Sequence, residues 1–166
     1  NTRFGDTFPE PKTLLQKQGA RIMGLDDPTK KMSKSAASAN NYIALLDEAD
    51  EIRRKIKIAV TDSGTEIKYD PEKKPAISNL LSIMSHFSDM PVAPLEKQYR
   101  GKTYREFKQD LAELIVEKLS PIRERTRELL GGTQELLSIL KKGAETAREV
   151  AGKTLSEVKQ KIGLLT

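Results

Sequence analysis

Two lysines stand three residues apart in Lys31-Met32-Ser33-Lys34-Ser35, within a stretch that is otherwise small and polar. A lysine carries a point charge and three donors on a flexible stem, which suits phosphate oxygens without demanding fixed geometry. On a loop, both ammonium groups reach one triphosphate. Ser33, Ser35 and the loop amides add neutral donors. Such a loop closes over a nucleotide and stabilises the charge that builds on a departing pyrophosphate. Gly24 before it, and Ala36, Ala37, Ser38 and Ala39 after it, leave the backbone free to move. A bare Lys-x-x-Lys also occurs in solvated basic loops, so the spacing alone leaves both readings open.

Upstream lies Ala20-Arg21-Ile22-Met23, a compact apolar stretch that predicts a short strand ending at Gly24 and turning through Asp26-Asp27-Pro28. Up to residue 45 the chain is otherwise broken by Pro9, Pro11, Gly19 and Pro28. Beyond it the pattern becomes helical. Ala49, Ile52, Ile56 and Val60 recur at helical spacing. Acidic residues (Asp47, Glu48, Asp50, Glu51) crowd the start of that segment and basic ones (Arg53, Arg54, Lys55, Lys57) its end, the order a helix dipole favours. A polar connection, 61–75, leads to a second helix marked by Ile77, Leu80, Leu81 and Met84. Leu95 to Tyr99 reads as a short helical turn. Tyr104, Phe107, Leu111, Leu114, Ile115 and Leu119 trace a longer stripe, which Pro121 either kinks or divides from 122–130. Gly131-Gly132 is a stop, after which Thr133 opens a segment interrupted at Gly143 and continued to Gly163. The fold class is mainly α, a helical bundle.

Composition narrows the function classes. The 166 residues are 37% hydrophobic and 32% charged, and no run of about 18 or more apolar residues suggests a membrane helix. The absence of cysteine excludes disulfides, Cys-bound metal and Cys nucleophiles. A single histidine, His86, excludes a His–His metal site and leaves a Ser–His triad remote. The net charge of +5 permits a phosphate or nucleic-acid partner without requiring one. The polar first residues and the lack of cysteine fit a cytoplasmic protein, and a start at Asn1 in place of Met suggests a piece of a longer one.

The pentapeptide at 31–35 reads KMSKS, and through it the chain resembles class I aminoacyl-tRNA synthetases. The likeness extends in order along the chain. Gly19-Ala20-Arg21-Ile22-Met23 running into Asp27-Pro28-Thr29-Lys30-Lys31 resembles the lead-in of bacterial tryptophanyl-tRNA synthetases. Ala59-Val60-Thr61-Asp62-Ser63 is similar to their AVTDS element, and Ser78-Asn79-Leu80-Leu81 to their SNLL helix. Leu95-Glu96, Gly101-Lys102 and Tyr104 resemble a further stretch, and Gly143-Ala144 with Ala147 the closing helix.

The resemblance implies a ligase that joins tryptophan to ATP, releases pyrophosphate and transfers tryptophan to the 3′ end of tRNA(Trp). Lys31 and Lys34 would be catalytic, gripping the triphosphate and the leaving pyrophosphate. Ile22, Met32, Ser33 and Ser35 would complete the ATP site. Mg2+ would arrive on the ATP phosphates, with no metal ligand from this chain. Residues 1–45 would be a C-terminal remnant of a Rossmann-like α/β catalytic domain, and 46–166 the anticodon-binding helical domain of a homodimer. The family's H-x-G-H and G-x-D-Q elements are absent from these residues, which implies a C-terminal portion unable to make the adenylate alone. The KMSKS loop continues with Ala36-Ala37 where the family usually has an acid and then Pro or Asn, a departure that touches loop closure.

Lys97, Arg100, Lys102, Arg105 and Lys108 alternate with Tyr99, Tyr104 and Phe107. They read either as a tRNA-binding face with stacking aromatics or as a solvated helix face over core aromatics. Arg123, Arg125 and Arg127 carry the same two readings. His86 is expected to cap or pack, and Asp62 to cap a helix or turn; the resemblance implies instead a hinge there between the ATP loop and the helical domain. A non-catalytic RNA-binding module and a tyrosyl-tRNA synthetase fragment are the alternative functions.

Overall fold

The computed structural model describes residues 1–14, 19 and 21–164. Five α-helices follow one another: α1 (Ala49–Ile58), α2 (Pro75–Ser88), α3 (Val92–Gln98), α4 (Tyr104–Gly131) and α5 (Thr133–Lys161). A short 3-10 turn, Ala39–Asn41, precedes them. The chain falls into two compact units, Leu15–Arg125 and a smaller one made of Asn1–Leu14 with Thr126–Thr166.

The larger unit has a continuous apolar core. Ile52 and Ile56 of α1, Ile77, Leu80 and Leu81 of α2, Leu95 of α3, and Phe107, Leu111 and Ile115 of α4 are all buried in it. These are the stripe residues that helical spacing singles out, because positions three and four apart share a face. Leu25 joins the same core, and Ile22 and Met32 pack against it. The loop is therefore built onto the helices, and the packing shows no break near residue 45.

The helix starts carry their own chemistry. The first turn of α2 has no cap on the preceding residue; Asp62 supplies it from afar, its two carboxylate oxygens accepting the amides of Ala76 (3.2 Å) and Ile77 (2.8 Å). Asp62 is thus a cap, one of the two roles read for it. Thr103 and Glu106 form a reciprocal capping box at the start of α4: Glu106 Oε2 accepts the Thr103 amide at 2.8 Å, and Thr103 Oγ1 accepts the Glu106 amide at 3.2 Å.

Three expectations change. Pro121 does not divide a helix, since α4 runs through it as one element; the flanking Leu119 and Arg123 are both buried and hold the helix across the lost hydrogen bond. Gly143 does not interrupt α5, where a glycine costs only about 1 kcal/mol relative to alanine. The strand expected at 20–23 is reduced to one antiparallel bridge, Met23 with Lys31. Ala20 lies outside the described residues. No strand forms among the described residues, because the returning loop pairs with this segment only around Met23 and Lys31, and a ladder needs a longer neighbour.

In the smaller unit α5 buries none of its described residues; Leu137, Leu140, Val150 and Leu155 are all more than half exposed. Its end is a Schellman motif: Leu164 donates to the Lys159 carbonyl (2.8 Å) and Gly163 to the Gln160 carbonyl (3.2 Å), with Gly163 at φ 75°, where glycine alone is unstrained. Lys161 Nζ donates to Asp6 O at 2.8 Å and Thr7 Oγ1 at 2.9 Å.

Candidate active site

The loop that carries Lys31 and Lys34 rises from a narrow hairpin stem. Gly24 donates to the Lys30 carbonyl (2.8 Å) and Met32 to the Ile22 carbonyl (2.9 Å), on either side of the Met23–Lys31 bridge. The turn at the far end of this stem is Asp27-Pro28-Thr29-Lys30, closed by the Lys30 amide on the Asp27 carbonyl at 3.2 Å. Asp27 Oδ1 accepts both the amide and the hydroxyl of Thr29, and Lys30 Nζ lies 3.0 Å from Oδ2. The Thr29 hydroxyl bond, followed by the Lys30 contact, lowers the Asp27 carboxyl to about 2.

Two buried asparagines hold the stem. Asn79 of α2 treats Met23 as a strand neighbour would: its Oδ1 accepts the Met23 amide (2.8 Å) and its Nδ2 donates to the Met23 carbonyl (2.8 Å). A side-chain amide here replaces the missing ladder partner. Asn41 Oδ1 accepts the Ser33 amide at 2.9 Å, and its Nδ2 donates to Asp26 Oδ1 at 2.6 Å. Sequence spacing points to neither asparagine.

Of the expected ATP-site residues, Ile22 and Met32 are half-buried against the core, and Ser33 is half-buried at the loop root. Lys31, Lys34 and Ser35 are exposed. Among the described residues neither Lys31 nor Lys34 has an ion-pair partner, so both ammonium groups are available to an anion. The turn between them and the 3-10 segment is tight: Ser35 donates its amide to Ser33 Oγ (3.2 Å), the two hydroxyls are 3.0 Å apart, and Ala36 donates to the Ser33 carbonyl (3.1 Å).

The basic residues expected to meet tRNA divide. Lys97 and Arg100 are exposed. Lys102 lies 4.8 Å above the Tyr99 ring and 3.7 Å from Asp110. Tyr99 and Phe107 are core residues packed edge to face at 4.9 Å, so neither offers a base a stacking surface. Burial, then the bond to Asp110, pushes the Tyr99 hydroxyl well above its ordinary range. Lys108 donates to the carbonyls of Ala59 (2.6 Å) and Lys57 (3.3 Å), closing the end of α1, and burial lowers its ammonium. Arg105 lines a cleft of about 690 Å³ between α1 and α4, together with Arg53, Lys57, Tyr104, Lys108 and Glu113. Glu113 is already neutralised by Arg53 at 2.7 Å, whose hydrogen bond lowers its carboxyl. Arg123 is structural: it is buried and donates to the Asp47 carbonyl at 2.8 Å. His86 is exposed, with its ring beside Gly19 and its Nδ1 2.6 Å from the Ser82 carbonyl.

Residues 1–120 match the family model of class I tRNA synthetases for tryptophan and tyrosine. The chain belongs to that family. A tryptophan–tRNA ligase of Caldanaerobacter subterraneus subsp. tengcongensis is 51% identical over 99% of the chain and 50% of its own length. A Listeria monocytogenes tryptophan–tRNA ligase is 50% identical over 99% of the chain and 49% of its own. The chain thus spans about half the length of the curated relatives it matches. Among solved structures, tryptophanyl-tRNA synthetase from Mycoplasma pneumoniae aligns with TM-score 0.81 at 31% identity, over 90% of this chain and 45% of that one. The Campylobacter jejuni enzyme complexed with ADP and tryptophan aligns at 0.66 and 30%, over 99% of this class I synthetase chain and 50% of its own. No helix among the described residues is long and apolar enough to cross a membrane.

Proposed function

We propose that this chain is the KMSKS-bearing, C-terminal portion of a tryptophan–tRNA ligase. The observation that carries the reading is the pair of exposed lysines, Lys31 and Lys34, with no ion-pair partner among the described residues, on a loop whose stem is pinned to the helical core by Asn79 and Asn41. In the first step the tryptophan carboxylate attacks the α-phosphorus of MgATP. An O–P bond forms, the α–β bridging P–O bond breaks, and its electron pair leaves on pyrophosphate. Positioning and charge stabilisation dominate such a transfer. Lys31 and Lys34 supply charge where the pyrophosphate gains it, with Ser33 and Ser35 as neutral donors and Ile22 and Met32 as the wall beside the nucleoside. The 3′ terminal ribose of tRNA(Trp) then takes the tryptophanyl group and AMP leaves.

Residues 1–45 serve in this reading as the end of the nucleotide-binding domain, and 46–166 as the helical tRNA-binding part of a cytoplasmic homodimer. Lys97, Arg100, Lys102 and Arg105 present the tRNA face, while Lys108 supports it from below. Relatives named for tryptophan favour that amino acid over tyrosine. Tryptophan-dependent ATP–pyrophosphate exchange tests the reading. The full-length protein is expected to catalyse it and the 166-residue chain alone to show none. Exchange supported only by tyrosine, or by the isolated chain, would overturn it.

A further inference from the structure

We propose that Asn41 is a positioning residue for Lys34, acting through the Ser33 amide. This rests on the role just given to Lys34. Asn41 is 5% exposed, and both ends of its side-chain amide are committed: Oδ1 to the Ser33 amide at 2.9 Å, Nδ2 to Asp26 Oδ1 at 2.6 Å. Its backbone is committed too, donating to the Ser38 carbonyl (3.1 Å) and accepting from the Leu25 amide (2.9 Å). One residue thereby joins the root of the loop, its return at Ser38 and the buried Leu25. The close fit depends on Gly24, since a methyl group there would lie 2.1 Å from the Asn41 amide nitrogen.

The two lysines are anchored differently. Lys31 sits in the stem, opposite Met23, and the Ile22–Met32 bond secures it without Asn41. Lys34 follows the bridge by three residues and stands on the turn that Ser33 starts. Ser33 is the last point at which that turn is tied to the core, and Asn41 is the tie. Without it the Ser33 amide loses its acceptor, the turn drifts, and the Lys34 ammonium spends less time where the leaving group gains charge. Misplacement by about 1 Å costs up to about 100-fold in rate.

Asp26 makes the assignment testable by exchange of roles. Asn41→Asp keeps an acceptor for Ser33 but sets a carboxylate against Asp26, whereas D26N/N41D restores a donor facing an acceptor. In the full-length synthetase, Asn41→Ala is expected to lower kcat for ATP–pyrophosphate exchange by about 10-fold or more while KM for ATP moves by less than about threefold. In a Lys34→Ala background, the same substitution is expected to cost nothing further; in a Lys31→Ala background it should still cost its full factor. Asn41→Asp alone should be impaired and D26N/N41D largely recovered. An equal loss from Asn41→Ala in both lysine backgrounds would mark a general structural role and overturn the proposal, as would an unimpaired Asn41→Ala enzyme. A wild-type enzyme with no tryptophan-dependent exchange would instead overturn the functional reading, and the proposal with it.

Discussion

Helices α2 and α5 carry apolar stripes of the same spacing, yet one is covered and the other is bare. Nine of the fourteen residues of α2 are buried, against none in the 29 residues of α5. Periodicity specifies a helix and which face is apolar; it does not specify what lies on that face. In α2 the cover comes from α1, α3, the part of α4 up to Leu119 and the loop stem, all within one compact unit. For α5 the described residues of its own unit leave nothing fully buried, and only Leu136, Thr154, Val158 and Lys159 are half-buried.

The difference has measurable size. Ile77→Ala or Phe107→Ala, each replacing a fully buried side chain, is expected to destabilise the chain by about 3–5 kcal/mol in urea unfolding. Leu155→Ala on α5 should cost less than about 0.5 kcal/mol, because the side chain is already 54% exposed. Equal costs would break the comparison. Asp62→Ala comes next: it strips two acceptors from the first turn of α2 and is expected to cost about 1–2 kcal/mol. The smallest effect concerns the loop turn. Asp27 is held at about 2, below its ordinary 3.8, so its bonds to Thr29 and Lys30 favour the fold above pH 4 and fade as pH falls from 4 towards 2. The Asp27 carboxyl resonance should titrate with a midpoint near 2; a midpoint near 3.8 would show that the turn is open in solution.

Much of this was legible in the residues. Helical spacing located α1, α2, α4 and α5, and Lys31-Met32-Ser33-Lys34-Ser35 located the loop; α3, read as a turn over 95–99, runs Val92–Gln98. The groups that hold the loop were not legible, because their partners are far away in the chain. Asn79 meets Met23 across 56 residues; Asp62 was legible as a cap, but the helix it caps, 14 and 15 residues on, was not. An asparagine in a helical stripe looks like any solvated polar residue until the backbone it pairs with is known. Tyr99 and Phe107 stayed ambiguous for the converse reason, and the second of their two readings, core aromatics, is the one that holds. Alternation with lysines resembles a stacking platform, and only the packing of α3 against α4 shows the rings turned inward. Pro121 and Gly143 carry strong local penalties, which the remainder of each helix outweighs.

The most direct test of the loop's assignment is tryptophan-dependent ATP–pyrophosphate exchange by the full-length enzyme carrying Lys31→Ala, Lys34→Ala or both. Both side chains are exposed and have no ion-pair partner among the described residues, so the thermal unfolding midpoint should stay put. Each single substitution is expected to lower the exchange rate by about 100-fold, and the pair by more, as befits charges that act on the departing pyrophosphate. A doubly substituted enzyme that keeps exchange within a few-fold of wild type would contradict the role given to these two lysines.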